Sequence, residues 1–362
     1  MTGSYRILDN KTVTRPTLIK AIGAGIPKII VGTHALLQDD VSFDALALIV
    51  VDEQHRFGVA QRAKLQEAGF GSHDGRASAV PHFLTMTATP IPRTLTLAFF
   101  GNLDLSLLDE LPKNRKPIIT KIASTLQERE RVYAFVRNEI VTGRQAFVIF
   151  PLVEESLALK DVKAAIVEHQ HLAETVFPHL SIGLLHGKMK AKEKEVIMRE
   201  FKEKKYDILV ATAVVEVGID IPNASVMLIE NAERFGLAQL HQFRGRVGRA
   251  EHQSYCLLIN GSTSLTTGGG NQAYENRRLK ALEIYDDGFK LAEQDLLLRG
   301  PGEFIGTKQS GIPDLAMASL TDLGLIKKAR LEAKLLLKTD PNLKDYPLLK
   351  AQLAQFQKIR HF

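Results

Sequence analysis

Short apolar runs, each closed by polar residues or glycine, recur along the first third of the chain: Ile29-Ile30-Val31, Leu48-Ile49-Val50-Val51 and Phe83-Leu84-Thr85-Met86. Runs this short and this continuously apolar are the pattern of strands buried in a parallel sheet. The pattern breaks at 112–120, where Pro112, Pro117 and three basic residues suit an interdomain linker. A second series follows, with strand candidates at Ala146–Phe150, Ile182–Leu185, Ile208–Val210, Val226–Ile229 and Cys256–Ile259. Helical patterns lie among them, notably Leu126–Val141 and Lys190–Lys204. Strands that alternate with helices imply parallel α/β sheets, here two in sequence. Gly261–Gln272, rich in Ser, Thr and Gly, reads as a surface loop. From Tyr274 onward the chain reads as mostly helical, apart from a Gly/Pro-containing stretch at Arg299–Pro313. The expected division is an α/β domain over 1–111, a linker over 112–120, a second α/β domain over 121–272 and a helical region over 273–362.

Composition narrows the setting. The 362 residues give room for two or three domains at roughly 100–200 residues each. A formal charge of +6 and a pI near 9.2 lean towards a polyanionic partner such as nucleic acid. A lone cysteine, Cys256, excludes an internal disulfide framework and fits a reducing cytoplasm. No stretch approaches the roughly 18 uninterrupted apolar residues of a membrane-spanning helix. Met1 to Asn10 carries no apolar core of signal-peptide type. No histidine spacing suggests a zinc site.

In open parallel sheets ligands bind beyond the carboxyl ends of the strands, and four polar clusters follow strand candidates here. Asp52-Glu53-Gln54-His55 follows Val50-Val51. Adjacent carboxylates there can divide labour, one holding magnesium through its water shell and the other activating an attacking water. Alone, such a pair is also the ordinary composition of a solvated acidic turn. Thr87-Ala88-Thr89-Pro90 follows the strand at 83–86. Neighbouring strand ends could bring Thr87 and Thr89 within hydrogen-bond reach of His55. Glu216-Val217-Gly218-Ile219-Asp220-Ile221-Pro222 follows the strand at 208–210, and Asp220 could bind a ribose hydroxyl or pair with an arginine; a plain β-turn is the other reading. In Gln242-Phe243-Arg244-Gly245-Arg246-Val247-Gly248-Arg249, a three-residue spacing would put Arg246 and Arg249 on one helical face, where both can reach a phosphate. Contact with DNA phosphates, or simple solvation, would serve those arginines as well. Gly245 and Gly248, each costing roughly 1 kcal/mol in a helix, suggest close approach of the backbone to a ligand or a facing domain.

These four clusters stand in the order of motifs II, III, V and VI of superfamily 2 helicases. Within that superfamily the chain resembles the RecG family, through Asp52–Arg62 (DEQHRFGVAQR), Met86–Leu95 (MTATPIPRTL), Gly143–Ser156 (GRQAFVIFPLVEES) and Glu230–Arg249. The motor of the transcription-repair coupling factors is the nearest alternative. Gln54 and Pro301 favour the RecG family, since the coupling factors usually carry Glu and Ala there. The resemblance implies two tandem RecA-like domains and an ATP-dependent DNA helicase that uses Mg2+. Its cofactor would sit in the cleft between the domains, and it would drive branch migration of Holliday junctions and regression of stalled forks as a monomeric motor in the bacterial cytoplasm, at the nucleoid. By the same resemblance Asp52 would hold magnesium through water and Glu53 would activate the attacking water. His55, Thr87 and Thr89, with Gln54, would couple hydrolysis to domain closure, and Gly218, Asp220, Gln242, Arg246 and Arg249 would contact the nucleotide. Asp287–Gly311 is similar to the family's translocation motif, a helical hairpin followed by a glycine-rich loop, with Arg299 and Gln309 as coupling residues. Thr33-His34 and His186-Gly187-Lys188, each after a strand candidate, match loops that lie on nucleic-acid phosphates.

One departure stands out. The phosphate-cradling pattern Gly-x-x-x-x-Gly-Lys-[Ser/Thr] is absent from all 362 residues. Full-length members of the family carry it upstream, with a wedge domain. The sequence therefore implies a truncated first domain with an unpaired sheet edge, a liability for self-association. Two functions compete: part of an ATP-driven DNA translocase, or a hydrolysis-deficient module that binds duplex or branched DNA.

Overall fold

The computed structural model of the chain describes residues 6–44, 46–53, 81–88, 104, 106–108, 110, 116–151, 166–212, 221–249, 251–261, 271–299 and 323–359. It divides into two compact units, Met1–Thr89 and Pro90–Phe362.

In the first unit a two-residue antiparallel pair, β1 (Ile7–Leu8) and β2 (Lys11–Thr12), leads into helix α1 (Arg15–Gly23). Thr14 starts α1 by accepting a hydrogen bond from the Thr17 amide, and Pro16 sits in the first turn, where its missing N–H costs nothing. Strands β3 (Leu48–Val51) and β4 (His82–Thr85) pair in parallel, with Val51 opposite Thr85. Ile49 and Val51 are buried with Leu37, Leu46 and Phe83 packed against them, whereas Leu48 and Val50 are 57% and 51% exposed. The expected strand at Ile29–Val31 does not form: these residues pair with no strand among the described residues, and Ile29 and Val31 are 84% and 78% exposed.

The second unit is built on a six-stranded, wholly parallel sheet in the order β5-β10-β9-β6-β8-β7. Its strands are β5 (Ile119–Ala123), β6 (Gln145–Ile149), β7 (Ile182–Leu185), β8 (Ile208–Ala211), β9 (Ala224–Ile229) and β10 (Tyr255–Ile259). β6, β8 and β9 are buried at every residue. Alternate side chains along β6 and the residue that follows it explain why: Ala146, Val148 and Phe150 enter a core with Tyr133, Val136 and Ile140, while Phe147 and Ile149 enter another with Phe201, Leu240, Phe243 and Leu282. Helix α2 (Leu126–Val141) covers the first face; α3 (Ala191–Lys202), α4 (Leu237–Arg244) and α5 (Asn271–Ile284) cover the other. β5 takes up Ile119 and Thr120, so the stretch read as a linker ends inside a strand. Helix α6 (Gly288–Arg299) packs on α4 and α5, and α7 (Leu323–Thr339) and α8 (Pro347–Ile359) complete the helical C-terminal region.

Candidate functional site

In the first unit Asp52 and Glu53 leave the carboxyl end of β3. Glu53 has φ of +51°, a left-handed conformation uncommon outside glycine and a frequent mark of functional turns. The Asp52 carboxylate fixes that turn by accepting from the Glu53 amide at 2.8 Å. The Met86 amide donates to the Val51 carbonyl at 2.8 Å, extending the parallel register and setting Thr87 just past the neighbouring strand end. Asp52, Glu53 and Thr87 thus share one edge of the two-stranded sheet. Thr33 precedes a 3-10 turn, His34–Leu37, and its carbonyl accepts from the Leu36 amide. Gln54, His55, Thr89, Gly218, Asp220 and Gln309 lie outside the described residues, and for His34 and Arg299 only the backbone placement is described.

The carboxyl ends of all six strands in the second unit lie along one edge of the sheet, because every pair is parallel. At the end of β9 stands Glu230, 1% exposed. It accepts from the Tyr133 hydroxyl at 2.7 Å and from Arg129 Nη2 at 3.1 Å, and Arg129 Nε donates in turn to the Tyr133 oxygen at 2.7 Å. Burial pushes the Glu230 carboxyl above the ordinary carboxylate range, and its two partners pull it back only in part. A cavity of about 250 Å³, lined by Arg129, Tyr133, Arg137 and His171 among others, opens beside this group. At the end of β7, His186-Gly187-Lys188 forms a turn in which the Gly187 carbonyl accepts from Lys194 Nζ at 2.7 Å. Burial, and then the nearby Lys194, lower the His186 pKa.

The chain after β9 passes through Asn231, in a left-handed conformation, and enters α4. Gln242 lies on α4, but Arg246 and Arg249 do not share a helical face as expected. The helix ends at Arg244, with Gly245 as its cap, and Gly248 then adopts φ of +75°. A Cβ at Gly248 would lie 2.8 Å from the Ile118 side chain, so that glycine answers a close approach inside its own unit. Both arginines therefore occupy an irregular loop, Arg246 half-buried and Arg249 exposed.

Arg244, the last residue of the helix, is 3% exposed and was not singled out from sequence. Its Nη1 donates to the carbonyls of Leu282 and Tyr285 at 2.8 and 3.0 Å. Its Nη2 donates to the Asp286 carbonyl at 2.9 Å and lies 3.0 Å from His241 Nδ1. Burial, reinforced by Arg244, lowers the His241 pKa to about 4. Two signals could have found these residues. Arg244 falls on the apolar spacing Leu237, Leu240, Arg244, Val247, and Glu230 closes an unbroken buried strand. Among the described residues no three His, Cys, Asp or Glu side chains converge as metal ligands.

Comparison with known proteins covers nearly the whole chain. The DEAD/DEAH box helicase model matches residues 6–97, the helicase conserved C-terminal domain 127–251, and the C-terminal part of domain 3 of ATP-dependent DNA helicase RecG 285–361. ATP-dependent DNA helicase RecG of Synechocystis sp. is 51% identical over 96% of this chain and 40% of its own length. The protein of the same name from Bacillus subtilis is 45% identical over 94% of this chain and 48% of its own. The chain thus spans less than half the length of either relative. A solved structure of RecG bound to a three-way DNA junction superposes with a TM-score of 0.61 at 40% identity, covering 86% of this chain and 38% of that one. The DUF1998 helicase MrfA bound to DNA, at 19% identity and a TM-score of 0.51 over 78% of this chain and 39% of its own, shares the fold.

Proposed function

This chain belongs to the RecG family of DNA helicases, and from that premise we propose that it is motor sequence of an ATP-driven translocase acting on branched DNA. One observation carries the reading: Asp52 and Glu53 follow one strand and Thr87 the strand paired with it in parallel, at the carboxyl ends where such sheets bind ligands.

The residues present fit part of a nucleotide. Asp52 and Glu53 offer the hard oxygen donors that magnesium takes, directly or through water. Arg246 and Arg249 offer forked donors for phosphoryl oxygens. A glycine-rich cradle for the other phosphates is not among the 362 residues. Bound ATP would supply the free energy of hydrolysis. Asp52 would orient the metal's water shell, and Glu53 would take a proton at its carboxylate. His55, Thr87, Thr89 and Gln54 would relay closure, and Gly218, Asp220 and Gln242 would hold the nucleotide with the two arginines. Thr33, His34, His186, Gly187 and Lys188 would contact DNA phosphates, and Arg299 and Gln309 would couple movement to duplex DNA. Stalled forks and Holliday junctions would be the substrates, worked on by the complete enzyme as a monomeric motor. A second reading of the same residues is a module that binds duplex or branched DNA without hydrolysing ATP.

DNA-stimulated ATP hydrolysis by the purified chain, beside a Glu53→Gln variant, tests both. We expect hydrolysis at background and binding to a three-way junction that weakens steeply with salt, as phosphate contacts require. Hydrolysis that disappears in the variant would instead establish a complete motor with an unrecognised phosphate loop. Absence of salt-sensitive junction binding would sink both readings.

A further inference from the structure

Helix α2 and the segment that leads into β7 hold the 250 Å³ cavity between them, on the face of the second sheet opposite α4. One wall is a π-helical turn, Leu172–Val176, in which the Phe177 amide donates to the Leu172 carbonyl at 2.7 Å. Turns of this width are rare and are frequent at functional sites. Leu172 and Phe177, each 1% exposed, anchor the turn in the core and leave His171 and Thr175 outside, lining the cavity.

The facing wall is a stripe of α2, where Arg129, Tyr133 and Arg137 recur at four-residue spacing. Each is held by a partner. Tyr133 donates to Glu230, Arg129 spends Nε on Tyr133 and Nη2 on Glu230, and Arg137 Nη1 donates to the Val176 carbonyl at 3.0 Å. The Arg137 guanidinium also lies 5.9 Å from the centre of the Phe177 ring. Donors remain: Arg129 Nη1 and Arg137 Nη2 make no hydrogen bond among the described residues, and Arg137 has no carboxylate partner there. Two guanidiniums fixed by other bonds, with donors left over, form a preorganised fork for an oxyanion.

The surroundings select its size. Glu130 lines the cavity and the charge of Glu168 acts on Arg129, so an extended run of phosphates is repelled where one compact dianion is not. Leu126 and Val176 add an apolar flank. At about 250 Å³ the space falls short of the roughly 300–1,000 Å³ of drug-sized sites, which limits the body carried by that dianion to about a sugar. We propose that this cavity binds a single phosphate monoester, a sugar phosphate in class, with Arg137 as its principal charge and Arg129, His171 and Thr175 as further donors. The same group occurs on a free sugar phosphate and at the phosphorylated end of a nucleic-acid strand. Its place across the sheet from α4 separates it from the proposed nucleotide contacts, and the proposal does not depend on them.

Hydrogen exchange of the full chain tests it, with ribose 5-phosphate, inorganic phosphate, acetate at matched ionic strength, and three-way junctions with phosphorylated or hydroxyl strand ends. Ribose 5-phosphate should slow exchange in 126–137 and 171–177, inorganic phosphate should do so more weakly, and acetate should not. Exchange in 237–244 should stay unchanged, which separates binding from general stabilisation by phosphate. Arg137→Gln should raise the half-saturating concentration about tenfold, the worth of one charge-assisted bond. Glu130→Gln should lower it about twofold by removing a like charge. Arg131→Gln, the same change of charge at an exposed position of α2, should leave it unaltered. Slowing by the phosphorylated junction and not by the free compounds would keep the site and assign it to strand ends. Equal slowing by acetate, slowing by both junctions alike without the free compounds, no slowing in these segments, or an unaltered half-saturating concentration in Arg137→Gln overturns the proposal. Should Arg137→Gln lose its melting transition, Glu130→Gln decides, and a half-saturating concentration that fails to fall overturns it.

Discussion

Strands β3 and β8 are nearly the same sequence, Leu-Ile-Val-Val and Ile-Leu-Val-Ala, yet they live in different surroundings. Every residue of β8 is at most 1% exposed, whereas β3 alternates, with Leu48 and Val50 more than half exposed and Ile49 and Val51 buried. Composition gives a strand the capacity for burial on two faces, and cover on both sides realises it. In the second unit α2 lies on one face and α3, α4 and α5 on the other. Full burial of a Val, Leu or Ile side chain contributes roughly 1.5–3 kcal/mol, so stability is concentrated in the second unit.

Core truncation gives the largest separation between the units. Phe147, 1% exposed and edge-on to Phe201 at 5.1 Å, should lose about 3–5 kcal/mol as Phe147→Ala. Urea denaturation should show that loss in the main transition, and Ile49→Ala in the first unit should leave the same transition in place. Equal movement by both variants would mean that the units unfold together.

Acid gives the next largest effect, again in the second unit. His241 is held at about 4 in the folded state against an ordinary value of 6.5. Between those values the unfolded chain takes up the proton and the folded chain does not. The stabilisation is therefore full above pH 6.5 and is lost as pH falls towards 4. A shift of this size corresponds to at most about 3 kcal/mol. His241→Gln should flatten the fall in the main transition across that window; an unchanged slope would show that other groups set it.

Much of this contrast was legible along the chain, and the failures have physical causes. The strand runs at 48–51, 146–150, 182–185, 208–210, 226–229 and 256–259 fell within a residue or two of β3 and β6–β10, because each is a continuous apolar run, fully buried in β6, β8 and β9 and only alternately buried in β3 and β7. Ile119-Thr120-Lys121-Ile122-Ala123 was missed because β5 is an edge strand with Lys121 facing outward, so its run is broken by polar residues. Ile29–Val31 has the composition of a strand, but a strand is defined by a ladder, and these residues have none among the described residues. The turn at Asp52-Glu53 could be anticipated from the strand-end rule. For Arg244 and Glu230 the spacing marks buried positions, but their partners could not be anticipated, since these lie 38–42 and 97–101 residues away. Periodicity reports which face a residue occupies and is silent about which distant acceptor meets it there.

Association separates the units by a smaller margin. Leu48, Val50 and Leu84 leave apolar area open on the first unit. The chain should elute early and concentration-dependently on size exclusion, and Leu48→Lys with Val50→Lys should shift it towards the monomer. A monodisperse monomer for the unaltered chain would remove the exposed strand as a cause of association.

The smallest difference is in the two threonine caps. Thr125 heads α2 in a reciprocal box: the Glu128 amide donates to Thr125 Oγ1 at 3.2 Å, and the Thr125 and Ser124 amides donate to the Glu128 carboxylate at 3.0 and 2.8 Å. Those amide contacts also lower the Glu128 pKa. Thr14 heads α1 with a longer amide contact, from the Thr17 amide at 3.4 Å, and a hydroxyl contact to Thr17 Oγ1 at 2.8 Å, and no acidic side chain in the first turn reaches back to the cap. Removing a capping oxygen typically costs about 1 kcal/mol. Thr125→Ala should lose about that much in the main transition. Thr14→Ala should lose less, about 0.5 kcal/mol at the low end of the range, in a signal confined to the first unit such as exchange of the α1 amides. Equal losses would mean that the capping oxygen alone sets the cap's worth, and neither its bond length nor the reciprocal carboxylate.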